Sequence, residues 1–183
     1  MSEFDAALGE LGAVLARVDD GRLDEACRML AGARRIGVYG CGREALQIKG
    51  FAMRMFHLCM DVSVVGDMTM PALGEGDVFL VSSGPGETTT VITLMQVAKK
   101  AGAKILLLTA QADSTTAKLA DFVLLVPAQT MADDQGAKRT SVLPMGSLFE
   151  GALFLIFEVM VLRLKALLGV TPEAMRSRHT NME

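Results

Sequence analysis

The sequence is poor in the residue types that mark metal-binding and disulfide-rich proteins. It contains no tryptophan, one tyrosine, two histidines and three cysteines in 183 residues. Cys27, Cys41 and Cys59 form no CxxC pair and show no metal-ligand spacing, so neither a metal site nor a disulfide framework is indicated. An odd number of cysteines, behind an acidic N-terminus without an apolar signal region, predicts a reducing, cytoplasmic location.

A basic surface and a membrane-spanning run are lacking as well. The net charge is −3 and the pI is about 5.5, so we expect no nucleic-acid partner. Residues 151–162 are apolar except for Glu158, but charged residues flank them, and a membrane span needs about 20 apolar residues. We therefore predict a core or interface helix there and no membrane association.

Short apolar segments alternate with helical patterns along the rest of the chain. The predicted strands cover residues 35–39, 62–65, 77–82, 104–109 and 122–126, and most show no polar alternation. Such strands indicate a parallel sheet that is covered on both faces. We predict a three-layer α/β/α sandwich with five parallel strands in flavodoxin-like order. Residues 1–33 are predicted to form two helices that pack on the main domain, residues 34–183.

Two glycine-containing turns follow predicted strands, and each opens a helix. One is Ser83-Gly84-Pro85-Gly86-Glu87-Thr88, and the other is Gly40-Cys41-Gly42-Arg43-Glu44. Glycine lets a backbone approach a ligand closely, and the free N–H groups of a first helical turn attract an anion. In an open α/β sheet, ligands bind beyond the carboxyl ends of the strands, so both turns are predicted to border the site.

The predicted helix over residues 147–168 is apolar nearly all round. One sheet covers only one stripe of a helix, and the remaining apolar surface is expected to contact another subunit. The overall composition agrees, since 51% of the residues are hydrophobic and the mean hydropathy is +0.37. The chain is therefore expected to form a homo-oligomer.

The motifs together resemble those of the 6-phospho-3-hexuloisomerases, members of the sugar isomerase (SIS) domain family. The resemblance runs from about residue 33 to the end of the chain. Its most specific parts are the block at 143–150, Leu-Pro-Met-Gly-Ser-Leu-Phe-Glu, and the tail at 178–183, Arg-His-Thr-Asn-Met-Glu. The resemblance implies dimers or tetramers with active sites at subunit boundaries.

The resemblance also implies a reaction. A 3-hexulose 6-phosphate would be converted to fructose 6-phosphate through an enediol, with no metal or redox cofactor. Glu150 would be the base and His179 the acid or oxygen polariser. The residues expected to bind the sugar phosphate are Gly42, Arg43, Ser83, Gly84, Gly86, Glu87 and Thr88.

Two positions depart from the family pattern, because Glu44 and Pro85 replace serines that are expected to contact phosphate. At 4 Å, two like unit charges repel by about 4 kcal/mol at an effective dielectric of 20. Glu44 therefore opposes phosphate binding if it faces the site. The alternative is that Glu44 points to solvent and only complements the helix dipole.

Structural interpretations compete with several of these roles. Ser147 and Glu150 have the spacing of a capping box, in which Glu150 would serve the start of the long helix. His179 belongs to a terminal tail, and such tails are usually mobile. Ser83 and Thr88 fit a plain glycine turn with a helix cap, and Glu87 fits a cap better than a sugar contact.

Two other functions remain open at this point. The chain could isomerise a different phosphosugar, or it could bind a phosphosugar without turning it over. Glu44 and Pro85 favour the second alternative.

Overall fold

The computed structural model describes residues 2–182. It is an alternation of strands and helices, in the order α1 (Glu3–Leu15), α2 (Asp20–Ala31), β1 (Ile36–Tyr39), α3 (Gly42–His57), β2 (Val62–Val64), β3 (Val78–Ser82), α4 (Thr89–Lys100), β4 (Lys104–Thr109), α5 (Thr115–Leu119), β5 (Phe122–Leu125), α6 (Ser147–Leu168) and α7 (Pro172–Ser177).

The five strands form one parallel sheet in the order β2-β1-β3-β4-β5. This is the predicted flavodoxin-like order. Strands β1 and β3 are parallel neighbours, so the loops that follow them meet at one edge of the sheet. That edge is the switch point at which open α/β sheets bind ligands.

Successive residues of the central strands belong to two separate cores. Val78 and Leu80 of β3 join a large cluster with α1, α2, α3 and α6, whereas Phe79 and Val81 join a smaller cluster with α4. Every residue of β3 is buried, which explains its lack of polar alternation. The three-layer prediction is therefore confirmed.

Helix α6 packs against α1, α2 and α3 rather than against the sheet alone. These neighbours bury much of the apolar perimeter that the sequence analysis assigned to another subunit. A strip remains exposed on α6 at Phe154, Leu155, Val159 and Leu162. None of the helices within residues 2–182 combines the length and apolarity that a bilayer span requires.

Candidate active site

A cavity of about 400 Å³ lies at the carboxyl edge of the sheet. The first turns of α3 and α4 and the start of α6 surround it. Its lining consists of Cys41, Gly42, Arg43, Glu44, Pro85, Thr88, Thr130, Met131, Met145, Gly146, Phe149 and Glu150. Four of the predicted site residues, Gly42, Arg43, Thr88 and Glu150, therefore share one cavity.

Glu150 enters this cavity from the first turn of α6. A tight turn precedes the helix, with Met145 and Gly146 both at positive φ, 54° and 74°. Arg43 reaches across from α3, and one of its guanidinium nitrogens lies 3.3 Å from Glu150 Oε1. The same guanidinium donates to Ser147 Oγ at 2.6 Å and to the carbonyl oxygen of Met145. Arg43 thus fixes the turn that positions Glu150.

Burial raises the pKa of Glu150, and the charge of Arg43 partly opposes that rise. Within the described residues, the buried Oε2 atom of Glu150 has no hydrogen-bond partner. A half-buried carboxylate with one oxygen unsatisfied is suited to accept a proton from a bound ligand.

The capping-box alternative for Glu150 is wrong. Gly146 is the N-cap residue of α6, and no side-chain hydrogen bond caps this helix. Ser147 is already helical, and its hydroxyl donates back to the carbonyl oxygen of Pro144 at 2.7 Å. The turn at 144–146 therefore displaces Ser147 from the capping position.

Glu44 points into the molecule, so the solvent-facing alternative is also wrong. Its carboxylate accepts hydrogen bonds from the Gly84 N–H, at 3.0 and 3.1 Å to the two oxygens, and from the Ser82 hydroxyl. Burial raises the pKa of Glu44, the Ser82 and Gly84 hydrogen bonds lower it, and the nearby charge of Glu150 raises it again. The cavity therefore contains two carboxylates.

Ser83 and Gly84 do not line the cavity, and the Gly84 N–H donates to the Glu44 carboxylate. Gly84 is held closely, since a Cβ atom at this position would lie 3.1 Å from both Phe149 and Thr130 side-chain atoms. Ser83 Oγ is buried and has no hydrogen-bond partner among residues 2–182. Such an atom usually indicates a bound group or water.

The other residues of the β3–α4 turn have separate positions. Thr88 is the N-cap residue of α4 and lines the cavity, but its side chain makes no capping hydrogen bond. Glu87 accepts the Thr115 N–H at 2.8 Å and so serves the start of α5, not the start of α4 that the capping interpretation assigned to it. Gly86 packs against α5 and receives a hydrogen bond from Thr116 Oγ1 at 3.0 Å.

His179 does not line the cavity. Its ring stacks on that of His57 with 5.5 Å between the centroids, at the opposite end of α3 from Glu44. His57 lies thirteen positions after Glu44 in the same helix, a length of about 20 Å. Arg178 ties the same tail down by donating to the carbonyl oxygen of Phe56 at 2.9 Å.

The cavity is also lined by residues outside the predicted binding set, among them Thr130, Met131, Met145 and Phe149. Thr130 and Met131 lie in the segment between β5 and α6, and Thr130 is buried there whereas Met131 is exposed. Thr130 Oγ1 is buried without a partner within the described residues. Across residues 2–182, no three His, Cys, Asp or Glu side chains form a group that could hold a metal ion.

The cavity combines the carboxyl edge of the sheet, which attracts anions, with the partly unsatisfied carboxylate of Glu150. Helices α3 and α4 both begin at the cavity, and their dipoles favour negative charge there. Glu150 can remove and return a carbon-bound proton, and Arg43 can stabilise charge on a nearby oxygen.

The chain belongs to the SIS domain family. The family's SIS domain model matches residues 29–153.

The chain is also similar along most of its length to proteins with a named activity. It is 37% identical to the 3-hexulose-6-phosphate isomerase of Mycobacterium gastri, over 95% of this chain and 86% of that protein. It is 34% identical to the protein of the same name from Methylomonas aminofaciens, over 98% and 97%. A crystal structure of a hypothetical protein from Methanococcus jannaschii, whose inferred molecular function is 3-hexulose-6-phosphate isomerase, superposes with a TM-score of 0.86 at 22% identity, covering both chains completely.

Proposed function

We propose that this protein is a 3-hexulose-6-phosphate isomerase that forms fructose 6-phosphate. The observation that carries the proposal is the Glu150 carboxylate, held by Arg43 on the wall of the cavity with one oxygen unsatisfied. Relatives with this named activity match nearly the whole chain, which supports the choice of substrate.

Glu150 would remove the proton from C2 of the substrate and give a 2,3-enediol. Return of a proton to C3, with transfer of the hydroxyl proton from O2 to O3, then leaves the carbonyl at C2. One carboxylate on one face of the substrate can perform both carbon proton transfers. The raised pKa of Glu150 brings the group closer to the operating pH, at which a general base is most effective.

We further propose that the protein is a homo-oligomer. A groove of about 260 Å³ runs between α3 and α6, and Leu46, Met53 and Phe154 line it with half or more of each residue exposed. Phe4 and Leu8 of α1 add further exposed apolar surface. A second copy of the chain that covers this groove would remove apolar surface from water.

In an oligomer, His179 of one subunit could reach the active site of another subunit. Helices α3 and α6 both begin at the cavity and run side by side, as shown by the stacking of Phe51 on Phe157 at 4.5 Å. The C-terminal end of α3 contacts the tail that contains His179. If two subunits pair about a two-fold axis with their α3 helices antiparallel, this end of one α3 lies beside the cavity at the start of the other α3. We therefore propose that the partner subunit's His179 assists Glu150.

A phosphosugar-binding protein without turnover is the second candidate. The observation that favours it is the Glu44 carboxylate, which occupies the Gly84 amide and is unfavourable to a phosphate dianion. The location proposed for either function is the cytoplasm, which is consistent with free Cys27, Cys41 and Cys59.

One assay distinguishes the two functions. Purified protein is supplied with 3-hexulose 6-phosphate, and fructose 6-phosphate is measured by a coupled reaction. Turnover supports the isomerase. Binding of fructose 6-phosphate in a thermal-shift experiment without turnover supports the second candidate, and neither binding nor turnover excludes both.

A further inference from the structure

The loop after β3 has few hydrogen-bond donors left for a ligand. The Ser83 N–H donates to the carbonyl oxygen of Leu108 at 3.0 Å, and the Gly84 N–H donates to Glu44. Pro85 has no N–H group. Apart from the Ser83 hydroxyl, which is buried without a partner within the described residues, the first three positions of the loop can therefore donate to an anion only if the Glu44 carboxylate releases the Gly84 amide.

The Glu44 carboxylate accepts the hydrogen bonds that this loop would otherwise donate to the anionic group of a ligand. Its two oxygens share the Gly84 amide, and one of them also accepts the Ser82 hydroxyl. Because Glu44 also lines the cavity, its charge faces whatever binds there. A phosphate dianion next to this carboxylate would be repelled, whereas a protonated Glu44 could donate a hydrogen bond to it.

We infer that Glu44 is an internal anion that competes with the phosphate of the ligand for the loop after β3, so that phosphosugar binding requires Glu44 to take up a proton. The inference rests on the proposed function, since it takes a sugar phosphate to be the ligand. It makes Glu44 a determinant of affinity and of its pH dependence, separate from the chemical step at Glu150.

The other charged and titratable groups around Glu44 are few. Helix α6 presents Glu150, whose charge disfavours ionisation of Glu44, and α3 itself presents Arg43, which is paired with Glu150. Strand β1 and the turn after it bring Tyr39 and Cys41, which hydrogen-bond to each other at 3.6 Å.

The strand and loop on the other side of Glu44 contribute mainly uncharged donors. Ser82 and Gly84 provide a hydroxyl and an amide, while Glu87 is engaged with the start of α5. The lining residues Thr130 and Met131 bring no charge. Glu44 and Glu150 are therefore the two acidic groups on the cavity wall within the described residues.

The test is the affinity of the full-length protein for fructose 6-phosphate between pH 7 and 9. The phosphate of the ligand, with a second pKa of about 6, is a dianion throughout this range. For the wild type, Kd should rise about tenfold per pH unit, the slope of one linked proton. Calorimetry in two buffers of different ionisation enthalpy should show uptake of about one proton.

Glu44→Gln mimics the protonated side chain and keeps its size. For this variant we expect a Kd that changes less than about twofold over the same range, and no proton uptake. At pH 8 it should bind at least tenfold more tightly than the wild type. Asp113→Asn is the matched control, because it removes an exposed charge from the β4–α5 loop at the same edge of the sheet and should keep the wild-type slope.

Ser82→Ala provides a second variant if Glu44→Gln does not fold. Loss of the Ser82 hydroxyl removes a donor that favours ionised Glu44, so at pH 8 this variant should bind fructose 6-phosphate more tightly than the wild type. A wild-type Kd that is independent of pH and equal to that of Glu44→Gln would overturn the inference alone. If no variant binds fructose 6-phosphate and the wild type does not turn over 3-hexulose 6-phosphate, the proposed function falls, and the inference with it.

Discussion

Arg43 and Glu150 belong to the first turns of two neighbouring helices, and a guanidinium nitrogen of one lies 3.3 Å from a carboxylate oxygen of the other. Arg43 also bonds Ser147 and the Met145 carbonyl, so a single side chain connects the start of α3 to the turn that precedes α6. The proposed base is therefore held from outside its own helix.

This pair predicts a shift in the pH dependence of catalysis. The positive charge of Arg43 lowers the pKa of Glu150, so Arg43→Met should raise it. The proposed mechanism needs ionised Glu150, and the acidic limb of the pH–rate profile for kcat should therefore move to higher pH. Measured at saturating substrate, the variant should lose more activity at pH 6 than at pH 8. An acidic limb that stays in place or moves to lower pH would argue against Glu150 as the titrating base.

The turn after β3 makes a stability prediction. Gly86 has φ of +74°, and a Cβ atom there would lie 2.3 Å from Ser114 Cβ and Oγ. Gly86→Ala combines backbone strain with a clash and should cost about 2–5 kcal/mol of unfolding free energy. Urea denaturation followed by circular dichroism measures the difference.

Gly136→Ala is the control for this prediction. Gly136 has a similar φ of +60° but no atom within 4 Å of the added Cβ position. The control should lose only the strain contribution of about 1–2 kcal/mol. Equal losses in the two variants would mean that the close approach of Ser114 adds nothing.

The layers could be predicted from the sequence because buried parallel strands have a distinct pattern, and right-handed crossovers left only a few possible strand orders. The unbroken apolar run of β4, Ile105 to Leu108, is buried on both faces and could be read as such. The two glycine turns followed strands, so the chain direction fixed their place at one edge of the sheet. The motif block at 143–150 singled out Glu150, which lines the cavity.

Side-chain direction could not be obtained from the sequence. An acidic residue in a first helical turn is stabilised by the dipole whether it faces solvent or the protein, so Glu44 was compatible with both. The spacing of Ser147 and Glu150 fits a capping box, but it also fits a helix that begins one residue earlier, after a turn. The left-handed backbone of Met145, which forms that turn, is not evident from its residue type. Thr130 is buried beside Gly146, which comes 16 residues later in the chain and where an added Cβ would lie 2.7 Å from the Thr130 carbonyl carbon.

If the exposed groove between α3 and α6 is the interface of a homo-oligomer, a single buried charge in it should separate the subunits. Phe154 lines the groove and is 55% exposed, and Phe154→Asp should convert the oligomer to a monomer. Light scattering coupled to size exclusion at micromolar concentration gives the mass. Val97→Asp is the matched control on α4, on the opposite face of the sheet, and should leave the mass unchanged. A monomeric wild type would contradict the proposed interface.

The placement of His179 predicts complementation between inactive variants. Glu150→Gln and His179→Ala should each lose most activity, by about 100-fold or more for the base. If a site uses Glu150 of one subunit and the partner subunit's His179, unfolding and refolding a 1:1 mixture of the variants should restore about a quarter of the sites. If both residues act within one subunit, the mixture should stay inactive, and recovery of no activity would contradict a shared site.

The most direct test of Glu150 as the base in sugar-phosphate enolisation is hydrogen exchange at C3 of fructose 6-phosphate. The wild type is incubated with this sugar in D₂O, and loss of the C3 proton signal is followed by NMR. Enediol formation predicts exchange by the wild type and a rate at least about 100-fold lower for Glu150→Gln, with an unchanged melting temperature. Equal exchange rates in the two proteins, or no exchange and no turnover by the wild type, would contradict the role of Glu150.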